Sequence, residues 1–122
     1  MTYTELASKM ADLCETANIK GKYVYYQYPV GLAPEPPYII YWTPDRDDFL
    51  ADNINYVKIA TLVVELYTNT KDPALETAIE NWFESQELAP YIEETFLDDE
   101  AMHETIYTME VIIDGEQSTV RT

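Results

Sequence analysis

Residue types that usually carry chemistry are scarce in this sequence. Its 122 residues include one cysteine, one histidine and three glycines. A single thiol, Cys14, makes no intrachain disulfide, and no second cysteine or histidine completes a zinc set. The glycines lie too far apart for a phosphate-binding loop. We therefore expect no catalytic, cofactor-binding or metal-binding residues, and we predict that the protein is not an enzyme.

The lone thiol and the lone imidazole each have a structural interpretation. Cys14 follows Leu13 at the edge of an apolar helix face, and a free cysteine there behaves as a small buried hydrophobic residue. His103 stands in an acidic stretch at the start of the last predicted strand, where we expect an ordinary exposed histidine. The sequence supplies neither of them with a base, nucleophile or metal set.

Positive charge is the other scarcity. Seven lysines and arginines stand against 23 aspartates and glutamates, which gives a net charge of −16. The first 71 residues hold 9 acidic and 6 basic side chains, whereas residues 72–122 hold 14 acidic and one basic. Phosphate contacts require the opposite sign, so we expect no direct nucleic-acid binding. Because no apolar run reaches about 18 residues, we expect no membrane span and a protein made in the cytoplasm.

Apolar spacing and turn residues predict one α+β domain over residues 1–114 and a flexible C-terminal tail over 115–122. One helix follows a Thr2–Glu5 capping box, and a second begins at Asp72-Pro73 and runs to about residue 86. Strands are predicted at 22–28, 38–43, 54–68, 91–97 and 104–114, with an acidic turn at 44–48. The order is α-β-β-β-α-β-β, a mostly antiparallel sheet with two helices packed on one face.

Two features indicate contacts with other proteins. The longest predicted strand, 54–68, has apolar residues on both faces, which is typical of a strand covered on both sides. We expect a helix on one face and another subunit on the other. The connection 29–37 is stiffened by four prolines, Pro29, Pro34, Pro36 and Pro37. Ordering such a loop costs little entropy, so we predict that it docks on a neighbouring subunit.

The second predicted helix carries a stripe of acid. It consists of four glutamates at helical spacing: Glu76, Glu80, Glu84 and Glu87. One interpretation is a solvated face. The other is a surface that repels nucleic acid or meets a basic partner.

Four segments together resemble one protein family. They are YPVGLAPEPPYIIYW, FLADNINY, VELYTNTKDPALE and HETIYTMEVII. This resemblance is to small tail proteins of long-tailed phages and prophages of Gram-positive bacteria. It covers about residues 23–113, and ELYT-x-x-KDP-x-LE, from Glu65 to Glu76, is its most specific part.

The resemblance implies a virion protein of the neck or tail end. Such a protein would be similar to tail-completion and tail-terminator proteins, which form a ring where the tail meets the head. The resemblance also implies an α+β fold without catalytic residues. The expected partners are tail-tube, head-closure or connector proteins, with self-association into a ring of about six subunits. In such a ring the four glutamates would face the lumen. The alternative is an acidic DNA-mimic inhibitor of a DNA-binding protein.

Overall fold

The computed structural model describes residues 1–51 and 54–113, with side chains outside 46–57. The elements follow in the order α1 (Tyr3–Thr16), β1 (Tyr23–Tyr25), β2 (Tyr38–Ala51), β3 (Ile54–Thr68), α2 (Pro73–Ser85), β4 (Tyr91–Leu97), a short 3-10 turn (Asp98–Glu100) and β5 (Met102–Ile112). The predicted α+β class and element order are confirmed. The predicted tail at 115–122 lies outside the described residues.

Five strands form one sheet in the order β1-β2-β3-β5-β4. The pair β1 and β2 is parallel, whereas the other neighbours are antiparallel. Tyr41, Val64 and Tyr107 are consecutive partners across the three central strands, and all three side chains are buried. Since side chains alternate along a strand, this row defines the core face of the sheet.

Both helices pack on that core face. Their buried residues belong to one hydrophobic cluster with the inward residues of β2, β3 and β5: Leu6, Met10, Leu13, Leu75, Ile79 and Phe83. Two polar contacts join the helices at the rim. Nε1 of Trp82 donates to Oδ2 of Asp12 over 2.8 Å, and Nζ of Lys9 donates to Oε1 of Gln86 over 2.9 Å. The predicted placement of both helices on one face is confirmed.

Local signals set the helix ends. The Thr2 hydroxyl accepts a hydrogen bond from the Glu5 amide, and the Glu5 carboxylate accepts one from the Thr2 amide, so the capping box forms as predicted. The chain leaves α1 through Asn18, whose φ is 65°. Asp72 caps α2 by accepting from the Leu75 amide over 3.1 Å, and Pro73 occupies the first turn.

The predicted turn at 44–48 is wrong. Strand β2 does not end at residue 43 but continues to Ala51. The pairing with β3 shifts by one residue between Trp42 and Asp45. Pro44, which has no N–H to donate, sits in this bulge, so the ladder resumes beyond it. Strand β1 is shorter than the predicted 22–28, because only Tyr23–Tyr25 pair with β2.

The face of the sheet opposite the helices is called the open face below. Within the described residues it is covered at one end only, by the β1–β2 connection. The Tyr28 ring contacts Tyr38 at a centroid distance of 5.4 Å, and Tyr26 contacts Trp42 at 5.6 Å. This face carries apolar side chains of β2, β3, β4 and β5, namely Ile40, Val63, Tyr91, Ile106 and Ile112, and also the carboxylates of Glu93 and Glu110.

The core position of Ile79 yields a direct test of the fold. Ile79 is fully buried, so Ile79→Asp places an unpaired charge in the core and should cost at least about 4 kcal/mol. We expect loss of the cooperative thermal transition by circular dichroism. Thr77→Asp adds the same charge at an exposed position of the same helix and should melt like the wild type. A wild-type melt for Ile79→Asp would contradict the packing of α2.

Candidate functional site

Polar side chains of four elements converge where the first turn of α2 meets the β4–β5 edge of the sheet. Glu76 comes from α2, Glu94 from β4, His103 from the start of β5, and Lys71 from the β3–α2 connection. Glu94 pairs with Thr105, and Phe96 pairs with His103. Glu94 and His103 are therefore diagonal neighbours on the core face of the hairpin. We call these four residues the edge cluster.

Lys71 joins the two carboxylates of the edge cluster. Its ammonium donates to Oε1 of Glu76 over 2.8 Å and also to Oε1 of Glu94. These bonds, first that to Glu76, raise the pKa of Lys71. The hydrogen bond from Lys71 lowers the pKa of the Glu94 carboxyl, and His103 adds to this effect. Both shifts stabilise the charged forms at neutral pH, because each ion lies against its opposite.

His103 faces both carboxylates. Its Nε2 lies 3.1 Å from Oε1 of Glu94 and 3.9 Å from Oε2 of Glu76. The side chains of Glu76 and His103 are 9% and 13% exposed, whereas Lys71 is 46% exposed and Glu94 44%. The cluster therefore has a buried side toward the sheet and an open side toward solvent.

Several buried polar atoms around the edge cluster have no hydrogen-bond partner. They are Oε2 of Glu76 and the hydroxyls of Thr68, Thr105 and Tyr107. Thr68 is paired with His103, and Thr105 and Tyr107 follow His103 on the same face of β5. Burial and the charges of nearby carboxylates, Glu76 first among them, raise the pKa of Tyr107. Such unpaired groups cost free energy, and the three hydroxyls lie on the neighbouring strands β3 and β5.

The edge cluster has the composition of a cation site. One ligand atom each from Glu76, Glu94 and His103 lies within 4.8 Å of the others, and no other group of three such residues occurs in the part of the chain that the structure describes. Sequence analysis missed it because the three residues belong to three elements. The one available signal was the β4–β5 hairpin, whose register brings Glu94 close to His103.

Two predictions about these residues are wrong. His103 is not an ordinary exposed histidine, because it is mostly buried against Glu94 and Glu76. Glu76 is not part of an exposed stripe, since it lies three and seven residues before the buried Ile79 and Phe83 and shares their side of α2. Glu80, Glu84 and Glu87 remain exposed. Their placement in a ring lumen stays a prediction.

The proline loop, residues 29–37, leaves apolar side chains in solvent. Val30 is 100% exposed and Leu32 67%. Pro29 is exposed, whereas Pro34, Pro36 and Pro37 are half-buried. The docking role predicted for these four prolines stays a prediction.

A polar network crosses the covered end of the open face. Nε1 of Trp42 donates to Oε2 of Glu65 over 3.0 Å, and the Tyr67 hydroxyl lies 2.8 Å from Glu65 and 3.0 Å from Glu104. A phenol has one proton, so it cannot satisfy both carboxylates at once. Burial raises the pKa of Glu104 and also that of Tyr67. The network therefore links β2, β3 and β5 on this face.

The thiol is structural, as predicted. Cys14 is fully buried in the core, and burial raises its pKa to about 12. A thiol of this kind is almost entirely protonated at neutral pH, which makes it a poor nucleophile.

Comparisons with known proteins identify no relative. No protein-family model matches the chain, and no curated protein matches it. Among the described residues, no helix is both long and apolar enough to cross a membrane. The proposals below therefore depend on the geometry and on the segments quoted above.

Lys71 should stabilise the fold through Glu76. Lys71→Met leaves a buried carboxylate without its cation and should lower stability in urea denaturation at neutral pH by more than the loss of an exposed ion pair does. Adding Glu76→Gln should recover most of this loss, because the amide carries no charge. The control is Lys20→Met, since Lys20 and Glu15 form an exposed pair at 3.8 Å whose loss costs at most about 1 kcal/mol. Equal effects of Lys71→Met and Lys20→Met would contradict the assignment.

Proposed function

We propose that this protein is a structural virion subunit of a phage neck or tail end, which completes or terminates the tail and joins it to the head. The observation that carries the proposal is the open face, a sheet surface with exposed apolar side chains that the described part of the chain covers only at one end. The quoted segments, above all ELYT-x-x-KDP-x-LE from Glu65 to Glu76, support the place of the protein in a virion.

The open face has the properties of an assembly surface. Tyr91 at 68% exposure and Ile112 at 56% project into solvent beside the half-buried Ile40, Val63 and Ile106. The exposed carboxylates of Glu93 and Glu110 lie on the same face, so it offers both apolar and acidic contacts to a neighbouring subunit. Aromatic residues are also enriched in protein interfaces. A neighbouring subunit that packs here would bury side chains that the chain itself leaves in water.

Three exposed glutamates lie on the opposite layer of the domain, in addition to Glu93 and Glu110 on the open face. Glu80 and Glu84 belong to α2, which packs on the core face of the sheet, and Glu87 follows the end of that helix. Contact between subunits through the open face would leave these carboxylates at another surface. In a ring of about six subunits, we place them toward the lumen, where they would repel DNA within about 8 Å at physiological salt.

Partners of this subunit would be other virion proteins. Tail-tube, head-closure or connector proteins would present the matching surfaces, and the proline loop with its exposed Val30 and Leu32 would supply an additional contact. The protein would be made in the cytoplasm of the host bacterium and end in the virion. This role needs no cofactor, no membrane insertion and no direct nucleic-acid binding.

The alternative, a DNA mimic, loses support from the burial of Glu76. A mimic needs a long continuous row of exposed carboxylates, and the stripe on α2 is shorter by one residue than the sequence suggests. The near balance of charge over residues 1–71 points the same way.

Association should depend on salt and on the open face. At micromolar concentration in low salt we expect a monomer by light scattering, because subunits that each carry a net charge of −16 repel one another. Added salt should promote association by screening. The double variant Tyr91→Ser/Ile112→Ser should keep its fold and fail to associate. Phe96→Ser, which removes an equally exposed side chain from the core face of β4, should behave as the wild type. A tight dimer that ignores salt would oppose the proposal.

The exposed glutamates can be tested in particles. The triple variant Glu80→Lys/Glu84→Lys/Glu87→Lys should fold normally, since all three side chains are exposed. Assembled particles should retain or release DNA poorly, because a basic lumen attracts phosphates. The assay is complementation of a phage that lacks the gene, with Glu15→Lys on α1 as the control. Normal infection by the triple variant, or a particle structure with these residues outside the ring, would refute lumen placement.

A further inference from the structure

We propose that Glu76, Glu94 and His103 form a binding site for a divalent transition-metal ion of the Zn²⁺ type, and that the Lys71 ammonium holds the two carboxylates when no metal is bound. This site is separate from the open face and does not depend on the role in a virion. It would join the first turn of α2 to both strands of the β4–β5 hairpin.

The ligand chemistry suits such an ion. Zn²⁺ binds imidazole nitrogen and carboxylate oxygen at about 2.0–2.2 Å, so the donors of a tetrahedral ion lie about 3.4 Å apart. Nε2 of His103 lies 3.1 Å from Oε1 of Glu94 and 3.9 Å from Oε2 of Glu76. These two separations lie on either side of the required value, and all three ligand atoms lie within 4.8 Å of one another. A fourth position would face the solvent side of the cluster and take a water molecule.

A buried carboxylate oxygen without a partner is the independent observation that points to a ligand. Glu76 is 7% exposed, and its Oε2 has no hydrogen bond and faces Nε2 of His103. Lys71 satisfies only Oε1 of Glu76. A metal ion between Glu76 and His103 would give Oε2 of Glu76 a positively charged partner. Desolvated carboxylates demand such compensation.

The surroundings provide groups that can support metal ligands. The hydroxyls of Thr68 and Thr105 are buried without partners, and the sheet register places them beside His103. Hydroxyls in this position can donate to the ligating carboxylates or to a metal-bound water. Such outer partners orient ligands in metal sites.

Competition between the ammonium and the metal distinguishes this site from an ion-pair network. Lys71 and a metal ion would compete for Oε1 of Glu94, to which the ammonium donates. Because the Lys71 side chain is 46% exposed, it can move into solvent when the metal binds. Removal of Lys71 should therefore strengthen metal binding, even though it destabilises the metal-free fold.

The experiment is calorimetric titration of the full chain with Zn²⁺ alone at neutral pH, in a buffer that does not chelate metals. We expect one saturable site per chain. Glu94→Gln and His103→Gln should each weaken binding at least about tenfold. The control Glu80→Gln/Glu84→Gln removes two carboxylates from the same helix, outside the site, and should bind as the wild type. This control separates a site from general attraction to an acidic chain.

Lys71→Met should bind Zn²⁺ several-fold more tightly than the wild type, and Co²⁺ in its place should give the visible absorption of a low-symmetry nitrogen and oxygen site. If Glu76→Gln does not fold, the Glu94→Gln variant tests the site, because the Glu94 side chain is half-exposed. The proposal is overturned by the absence of a saturable site, by full binding in His103→Gln, by equal competition from Mg²⁺, or by weaker binding in Lys71→Met.

Discussion

The imbalance between one layer of helices and a two-sided sheet governs this structure. Two helices cover one face of five strands, and the fully buried residues of β3, Ala60, Leu62, Val64 and Leu66, all point toward them. Side chains that alternate with them necessarily point the other way. Because Val63, Ile106 and Ile112 lie there, the domain has apolar side chains that its own helices cannot reach, on a face that also carries Glu93 and Glu110.

Much of this arrangement follows from local signals in the sequence. The capping box at Thr2 and Glu5 and the Asp72-Pro73 start need only neighbouring residues to act, so both helices were predictable. The sequence also predicts the first part of β2, but not its extension beyond residue 43, because the acidic segment 44–48 looks like a turn. Strand β3, with which β2 pairs, determines the length of β2. It extends over 15 residues, and its backbone groups need a paired strand along that length. Pairing across the sheet overrides local turn preference.

The edge cluster shows where sequence reasoning stops. Glu76 fits an acidic stripe by its spacing to Glu80, yet it also fits the apolar side by its spacing to Ile79. The residues around Glu76 determine which side it takes, since its carboxylate lies against Lys71 and His103 at the sheet edge. Those partners come from other elements, and their position depends on the register of β5 against β3 and β4. No pattern within α2 contains that information.

The same cluster explains how an acidic half-chain folds with so little positive charge. Between Asp72 and Val120 there is no lysine or arginine, and the residues that flank this segment are Lys71 and Arg121. The Lys71 ammonium contacts the carboxylates of α2 and β4 together, which places one positive charge where two acidic elements approach. Water screens the repulsion among the exposed glutamates. It does not screen Glu76, because burial removes the solvent from around this side chain. The Lys71 ammonium supplies a positive partner for this buried carboxylate at the edge where α2 packs on the sheet.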